Sequence, residues 1–167
     1  MRQVINKFKP KGVVKAPPSK SMAHRLLICG ALSKGSVIEN VSFSKDVLAT
    51  LDCLKTLGAD IEIDGTNIKC GGIDFNNKIS NSLFCNESGS TLRFMIPLCL
   101  LFGQDIVLSG SERLFSRSLE VYEKIALKQN LKFECNNDNV LINGILKSGD
   151  PYYNPNFSYM EDYIIIQ

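Results

Sequence analysis

Two similar stretches of sequence, Lys20–Arg25 (KSMAHR) and Ser88–Arg93 (SGSTLR), each place a small or hydroxyl-bearing residue four positions before an arginine. Residues four apart share a helix face, so both members of each pair would point the same way. The first backbone N–H groups of a helix lack intrahelical acceptors and carry partial positive charge, which favours phosphate or carboxylate. Both stretches therefore predict the start of an anion-binding helix. Either one alone would also fit an ordinary N-cap followed by a solvated arginine.

The similarity continues beyond these stretches and indicates an internal repeat of about 70 residues. At an offset of 68 positions the matched pairs are Arg25/Arg93, Leu26/Phe94, Ile28/Ile96, Gly35/Gly103 and Ile38/Ile106, and at an offset of 72 they are Ser44/Ser116, Gly58/Asn130, Ile61/Phe133 and Asn67/Asn139. Glycine and asparagine are the residues that best tolerate the left-handed conformation that closes a helix, so the Gly58/Asn130 equivalence has a physical reason. The repeat predicts a duplicated structural unit rather than a short solenoid repeat.

Each copy of the repeat predicts the element order β-α-β-α-β-β. Predicted strands lie at 13–16, 36–41, 59–64 and 67–70 in the first copy, and at 83–85, 105–109, 131–135 and 140–143 in the second. The first helices, at about 20–33 and 89–102, are apolar nearly all round and should be buried. Ser44 is the predicted N-cap of the next helix, which ends at Gly58, and its counterpart has the apolar stripe Leu119, Tyr122, Ile125 and Ala126. Asp64-Gly65 predicts a hairpin turn. We therefore predict an α/β protein in which each unit has a mixed sheet covered by helices.

Composition fits a cytoplasmic α/β protein of one domain. The chain has 167 residues, 44% of them hydrophobic, and a formal net charge of +2 without basic runs, so no nucleic-acid partner is expected. The N-terminus has no apolar signal core, and no run of about 18 apolar residues predicts a membrane span. The six cysteines show no C-x-x-C spacing. We interpret them as small buried residues in a reducing compartment and expect no metal site.

Four ordered stretches resemble the N-terminal part of the 5-enolpyruvylshikimate-3-phosphate synthases: Pro17–Arg25 (PPSKSMAHR), Ser44–Val47 (SKDV), Glu87–Phe94 (ESGSTLRF) and Ser109–Arg117 (SGSERLFSR). Their order and spacing make the resemblance specific, and it covers about residues 10–149. It implies the enolpyruvyl transferase fold, an inside-out α/β barrel of two similar domains, each built from three β-α-β-α-β-β units around a pseudo-threefold axis. This chain would carry about two units of one domain, at 17–80 and 81–149, after an N-terminal strand segment at 1–16 and before a divergent tail at 150–167.

The resemblance also implies a reaction, enolpyruvyl transfer in the shikimate pathway to aromatic amino acids. The 5-hydroxyl of shikimate 3-phosphate would add to the enol carbon of phosphoenolpyruvate, the methylene carbon would be protonated, and the tetrahedral intermediate would then expel phosphate. No cofactor is implied. Because both substrates carry several negative charges, the site must overcome their mutual repulsion with lysine, arginine and helix N-termini.

The same motifs imply a set of substrate-binding residues. The ligands of shikimate 3-phosphate would be Lys20, Ser21 and Arg25, and those of phosphoenolpyruvate would be Lys20, Gly89, Arg93 and Arg117. A lysine is a mobile point charge that can serve two anions, whereas an arginine offers a bidentate fork. Arg93 also fits a structural ion pair, and Lys45 with Asp46 also fits a helix cap. His24, the only histidine, lies where family members vary and is not assigned a catalytic role.

Two departures from the family pattern matter. Arg117 is followed by Ser118, where the family usually has proline, which costs loop rigidity. After Gly149 the family's Ser-Ser-Gln segment does not follow, which fits either a chain cut short or a reading frame lost near residue 150. The acid and base residues are expected in the absent C-terminal part, so we expect this polypeptide to be inactive alone. A domain without its third unit would expose an apolar face, so we also expect self-association or a loosely ordered tail near residues 150–167. The alternatives are a non-catalytic remnant that binds an anion or a partner, and a relative of the enolpyruvyl transferase that acts on a UDP-linked amino sugar.

Overall fold

Two halves with similar element order make up the fold. The computed structural model describes residue 9, residues 11–75 and residues 79–147. In chain order the elements are α1 (Lys20–Ala31), β1 (Ser36–Ile38), α2 (Lys45–Thr56), β2 (Asp60–Asp64), β3 (Asn67–Gly72), β4 (Ser82–Phe84), α3 (Gly89–Cys99), β5 (Ile106–Ser109), α4 (Glu112–Phe115), α5 (Glu120–Lys128), β6 (Lys132–Cys135) and β7 (Asn139–Asn143). The predicted elements are all present except the first strand, and the single turn α4 was not predicted.

The strands form two sheets, one in each half of the chain. The first has the order β1-β3-β2 and is antiparallel throughout. The second has the order β4-β5-β7-β6, with β4 parallel to β5 and the other pairs antiparallel. The prediction of a mixed sheet is therefore confirmed for the second half only, because the first half has no described counterpart of β4.

The predicted strand at residues 13–16 is wrong. These residues form neither helix nor strand, and the side chains of Val13 and Val14 are almost fully exposed. Strand propensity in valine reflects packing on a half-buried sheet surface, and this segment has no such surface. The rest of the predicted N-terminal strand segment, apart from residues 9, 11 and 12, lies outside the described residues, as does the predicted tail at 150–167.

The most buried element is a helix, and the most exposed strand lies on the outside of its sheet. Helices α1, α2 and α3 pack against one another, and nine of the eleven residues of α3 are buried. By contrast, four of the five residues of β2 are exposed. A barrel with its helices inside has this inverted arrangement, as the fold prediction requires. None of the helices in the described ranges has the length and apolarity that a membrane span needs.

Helix α1 is buried on one side only, which corrects the prediction of burial all round. Ala23 and Leu27 lie in the core, whereas Met22, Leu26 and Cys29 are exposed. The exposed residues recur at intervals of three or four positions, so they form one stripe along the helix. This outward apolar face is not covered by any residue in the described part of the chain.

Backbone conformation supports the repeat independently of sequence similarity. Gly58 and Asn130, matched at an offset of 72, both close a helix with positive φ, at +88° and +55°. Gly35 and Gly103, matched at an offset of 68, adopt +75° and +64°. Because L-residues other than asparagine rarely adopt this conformation, the paired positions mark equivalent turns. The duplicated unit predicted from sequence is thus present in the fold.

The cysteines divide into two groups, and all six have free thiols. Cys53, Cys70, Cys85 and Cys99 are buried, as predicted, whereas Cys29 and Cys135 are exposed, contrary to the prediction. A hydrogen bond to Cys53, together with burial, raises the pKa of the Cys85 thiol, and burial raises the pKa of Cys99. Only the thiolate is a good nucleophile, so burial and a raised pKa both lower reactivity.

We expect an aromatic disulfide reagent at pH 8 to titrate two thiols in the native chain and six after denaturation. Cys29 and Cys135 are the accessible sites. Cys135 should react more slowly than an unperturbed thiol, because partial burial and the nearby Glu123 carboxylate raise its pKa. The measurement is the absorbance of the released thiolate, with Cys29→Ser and Cys135→Ser chains as site controls. Rapid labelling of four or more native thiols would contradict the buried positions of the others.

Candidate functional site

The start of α3 brings two arginines against a glycine. Ser88 is the N-cap, and its hydroxyl accepts a hydrogen bond from the Thr91 N–H at 3.2 Å. A Cβ atom added to Gly89 would lie 2.7 Å from Nη1 of Arg117 and 3.0 Å from Nη1 of Arg93. Both guanidinium groups therefore lie directly beside the glycine backbone at the positive end of the helix. Three of the four residues predicted to bind phosphoenolpyruvate, Gly89, Arg93 and Arg117, are brought together here.

Arg93 links this helix start to the loop that carries Arg117. Its Nη1 donates to the Gly89 carbonyl at 3.4 Å, and its Nη2 donates to the Ser118 carbonyl at 3.3 Å. The Ser118 hydroxyl in turn accepts from the Glu120 N–H at 3.2 Å, at the start of α5. Ser118 stands where proline was expected, and these bonds fix the loop at that residue. Arg93 therefore bonds to one backbone carbonyl at the start of α3 and to one in the loop after Arg117.

The start of α1 places Lys20 beside an acidic residue. Ser19 is the N-cap and accepts from the Met22 N–H at 3.3 Å. Lys20 Nζ lies 2.6 Å from Oδ2 of Asp46, which is in the first turn of α2. The Lys20 side chain is half exposed, so its ammonium group is held by the carboxylate and is still open to a ligand. The N-cap role predicted for Ser44 of α2 is confirmed by its bond to the Val47 N–H.

Arg25 lies between α1 and α3. Its Nη1 donates to the Ser21 carbonyl at 3.0 Å, so the two residues share one face of α1 as predicted. Its guanidinium carbon is 5.4 Å from the centre of the Phe94 ring, a distance typical of a cation–π contact. Phe94 belongs to α3 and is buried. The ring therefore packs against the Arg25 guanidinium and links it to α3.

Asp46 connects the two helix starts. Its carboxylate holds Lys20, and its backbone carbonyl accepts from the Thr91 hydroxyl of α3 at 3.3 Å. The N-terminal ends of α1, α2 and α3 are therefore neighbours. Asp46 was predicted to be a helix cap or a family motif residue, and its link between the helix starts was not predicted. Its position in the SKDV stretch was the available signal.

The charges and hydrogen-bond donors of these helix starts suit polyanionic ligands. Lys20, Arg25, Arg93 and Arg117 supply four cations, and two helix N-termini add partial positive charge. Guanidinium forks bind carboxylate or phosphate bidentately, whereas the ammonium group adapts to more than one anion. Over the residues that the structure describes, no group of three or more histidine, cysteine or acidic side chains could hold a metal ion. The arrangement can bind and align anions.

Comparison with known proteins assigns the family. The family model for EPSP synthase (3-phosphoshikimate 1-carboxyvinyltransferase) matches residues 6–141. A 3-phosphoshikimate 1-carboxyvinyltransferase of Clostridium perfringens is 42% identical over 154 residues, which cover 88% of this chain and 36% of that protein. The protein of the same name from Clostridioides difficile is 41% identical over 152 residues, covering 83% of this chain and 35% of that protein.

Solved structures agree at the level of the fold. An EPSP synthase from Acinetobacter baumannii superposes with a TM-score of 0.76 at 20% identity, over 90% of this chain and 36% of that one. A second structure from the same organism gives a TM-score of 0.69 at 22% identity, over 80% of this chain and 32% of that one. The chain spans about a third of the length of these relatives. Because the family model matches residues 6–141, most of its length, the chain belongs to the EPSP synthase family.

Proposed function

We propose that this chain supplies one side of the substrate site of a 3-phosphoshikimate 1-carboxyvinyltransferase. The complete reaction transfers the enolpyruvyl group of phosphoenolpyruvate to the 5-hydroxyl of shikimate 3-phosphate and releases phosphate. The observation that carries the proposal is the position of the Arg93 and Arg117 guanidinium groups in the space that a side chain at Gly89 would fill, at the start of α3. A side chain at position 89 would displace the guanidinium groups, so glycine leaves room for an anion to reach them together with the helix N-terminus.

In this proposal, phosphoenolpyruvate binds at the start of α3. Arg117 holds its phosphate or carboxylate, and Arg93 supports the site by fixing the Gly89 and Ser118 carbonyls. Shikimate 3-phosphate binds at the start of α1, where Ser21 and Arg25 face the same side of the helix. Addition of the 5-hydroxyl to the enol carbon requires the two anions to approach each other, and fixed cations oppose their repulsion without reorganising.

In the same proposal Lys20 acts on both substrates. Its ammonium group lies at the junction of α1 and α2, and Asp46 links that junction to α3 through Thr91. A point charge there lowers the repulsion between the anions as they come together. The general acid and base that protonate and deprotonate the methylene carbon are not assigned to the residues described here, since the proposed site residues are cations, a serine and a glycine.

A chimera tests this function directly. Residues 11–147 would replace the matching part of the Clostridium perfringens relative, and phosphate release would be followed with both substrates present. Turnover that requires both substrates is expected. A chimera that is folded by circular dichroism but releases no phosphate would contradict the proposal. Binding of shikimate 3-phosphate without turnover would support the alternative of a non-catalytic anion-binding protein, and turnover with a UDP-linked amino sugar would support the third candidate.

Two further assignments belong to the same proposal. We place the boundary between the repeat units near residues 80 and 81, because it falls between β3 and β4, where one sheet ends and the other begins.

We also propose a cytoplasmic location, which is supported by six free cysteines and by the biosynthetic role of the family. The proposed ligands are the two small anionic substrates.

Self-association of the 167-residue polypeptide is a further expected result. The outward stripe of α1 leaves Met22 54% and Leu26 43% exposed, so both apolar side chains are available for contact with a second copy of the chain. Sedimentation velocity at increasing concentration should show a shift to larger species. Leu26→Lys should reverse this shift, whereas Leu127→Lys, at an exposed leucine of α5, should not. A compact monomer at all concentrations would contradict the expectation.

A further inference from the structure

A buried series of polar side chains runs behind the three helix starts. His24 of α1, Thr50 of α2 and Thr91 of α3 are each fully buried. Nδ1 of His24 lies 2.7 Å from the Thr50 hydroxyl, and that hydroxyl lies 2.7 Å from the Thr91 hydroxyl. The Thr91 hydroxyl then reaches the Ser88 hydroxyl at 2.7 Å and the Asp46 carbonyl at 3.3 Å. One continuous hydrogen-bonded series therefore crosses all three helices.

Counting hydrogen atoms gives this series a direction. The Asp46 carbonyl can only accept, so the single hydroxyl hydrogen of Thr91 points toward Asp46 and Ser88. Thr91 must then accept from Thr50, which uses the one hydrogen of Thr50. Thr50 must accept in turn, and the donor left is the imidazole of His24. This assignment requires a hydrogen on Nδ1 of His24, which the neutral imidazole carries in its Nδ1–H tautomer.

The series ends on the two groups that define the site. Asp46 holds Lys20 through its carboxylate, and Ser88 is the N-cap directly before Gly89. If hydrogen-bond donation along the series reversed, the bonds at the start of α2 and at the start of α3 would therefore change together. A buried hydroxyl that loses its partner is costly, so the bonds favour a single arrangement of the three helices.

We propose that His24 and Thr50 are positioning residues, with His24 in its Nδ1–H form. They fix the starts of α1 and α3, and so Lys20 and Gly89, relative to each other, an alignment called the helix register below. The positioning of substrate ligands rests on the proposed function, whereas the tautomer and the helix register do not. His24 acts through Thr50 and Thr91, and its imidazole is fully buried, so it takes no part in proton transfer to a substrate.

The tautomer can be read without interference, since His24 is the only histidine of the chain. Long-range proton–nitrogen correlation spectra of the 167-residue protein should show one imidazole with the pattern of the Nδ1–H tautomer. Thr50→Val removes the acceptor at nearly constant volume and should shift the imidazole toward the Nε2–H form. Thr50→Ser should restore the original pattern. An Nε2–H pattern in the unchanged protein would overturn the proposal.

The register is tested on the same samples. Thr50→Val should move the backbone amide signals of Ser88 and Gly89, which lie at the start of another helix and are linked to Thr50 through the Thr91 hydroxyl. Thr56→Val is the matched control, because Thr56 is on the same helix and its hydroxyl bonds only to the local Asp52 carbonyl at 2.8 Å among the described contacts. Amide signals at Ser88 and Gly89 that stay unchanged in Thr50→Val would overturn the proposal.

Titration of these proteins with shikimate 3-phosphate distinguishes the positioning role of His24 and Thr50 from the proposed function of the chain. Thr50→Val should weaken binding by roughly three- to tenfold, the usual effect of one hydrogen bond, and Thr50→Ser should recover it. Leu54→Ala, a core change on α2, should lower the melting temperature without a comparable loss of affinity. If the unchanged protein does not bind shikimate 3-phosphate, the proposed function loses support, and the tautomer and the amide shifts still decide the register.

Discussion

Replacing Lys20 with methionine is expected to lower the turnover of the chimera on the order of 100- to 10,000-fold. Methionine keeps the length of the side chain and removes the charge. If the ammonium group serves both anions, two charge-assisted hydrogen bonds of about 1.5–3 kcal/mol each are lost, and each 1.4 kcal/mol is about a factor of ten in rate. Asp46, 2.6 Å from Lys20, would also lose its partner at the junction of α1 and α2. Initial rates of phosphate release give the measurement.

Lys69→Met is the matched control for this change. Lys69 lies on β3, is about as exposed as Lys20, and pairs with Glu62 at 3.2 Å on the outer surface. Surface ion pairs of this kind contribute little, so turnover should stay within about twofold. Equal losses in the two variants would show a general effect of charge. A folded Lys20→Met chimera with unchanged rates would remove Lys20 from the site.

Local signals made the helix starts predictable. The start of a helix and the side chain one turn later are decided by neighbouring residues. The helix starts near residues 20 and 89, each with an arginine one turn later, could therefore be predicted from the sequence. Positive φ at Gly58 and Asn130 is also a local property, which is why the repeat could be recognised. The grouping of Gly89, Arg93 and Arg117 needed the family motif as well, because Arg117 lies on a separate loop.

Long-range pairing was not predictable in the same way. Thr50 and Thr91 are 41 positions apart, and neither residue type has a pattern that indicates a partner on another helix. Lys20 and Asp46 are 26 positions apart, so only the fold brings their charges together. The apolar pattern of α1 predicted burial on all sides, yet a pattern shows which residues would gain from burial and not whether a surface covers them. The same limit explains the exposed Val13 and Val14.

Gly89→Ala is expected to raise the KM for phosphoenolpyruvate roughly 10- to 100-fold in the chimera, while the KM for shikimate 3-phosphate changes less than about threefold. The new methyl group would lie 2.7 Å from Nη1 of Arg117 and 3.0 Å from Nη1 of Arg93. Both atoms are the far ends of flexible side chains, so the guanidinium groups can move aside. The free energy of unfolding should therefore change by less than about 1 kcal/mol, because the cost falls on the alignment of ligands rather than on the fold.

Gly71→Ala separates displacement of these arginines from steric crowding in general. A methyl group at position 71 would lie 2.7 Å from Oδ2 of Asp60, a similar encroachment on a charged side chain, but on the outer sheet. Its KM for both substrates should equal that of the unchanged chimera, whatever the loss of stability. If Gly89→Ala raised both KM values equally, the start of α3 would not be the separate phosphoenolpyruvate site. The two anions would then share a single cluster of cations, in which Arg25 and Arg117 could not be assigned to different substrates.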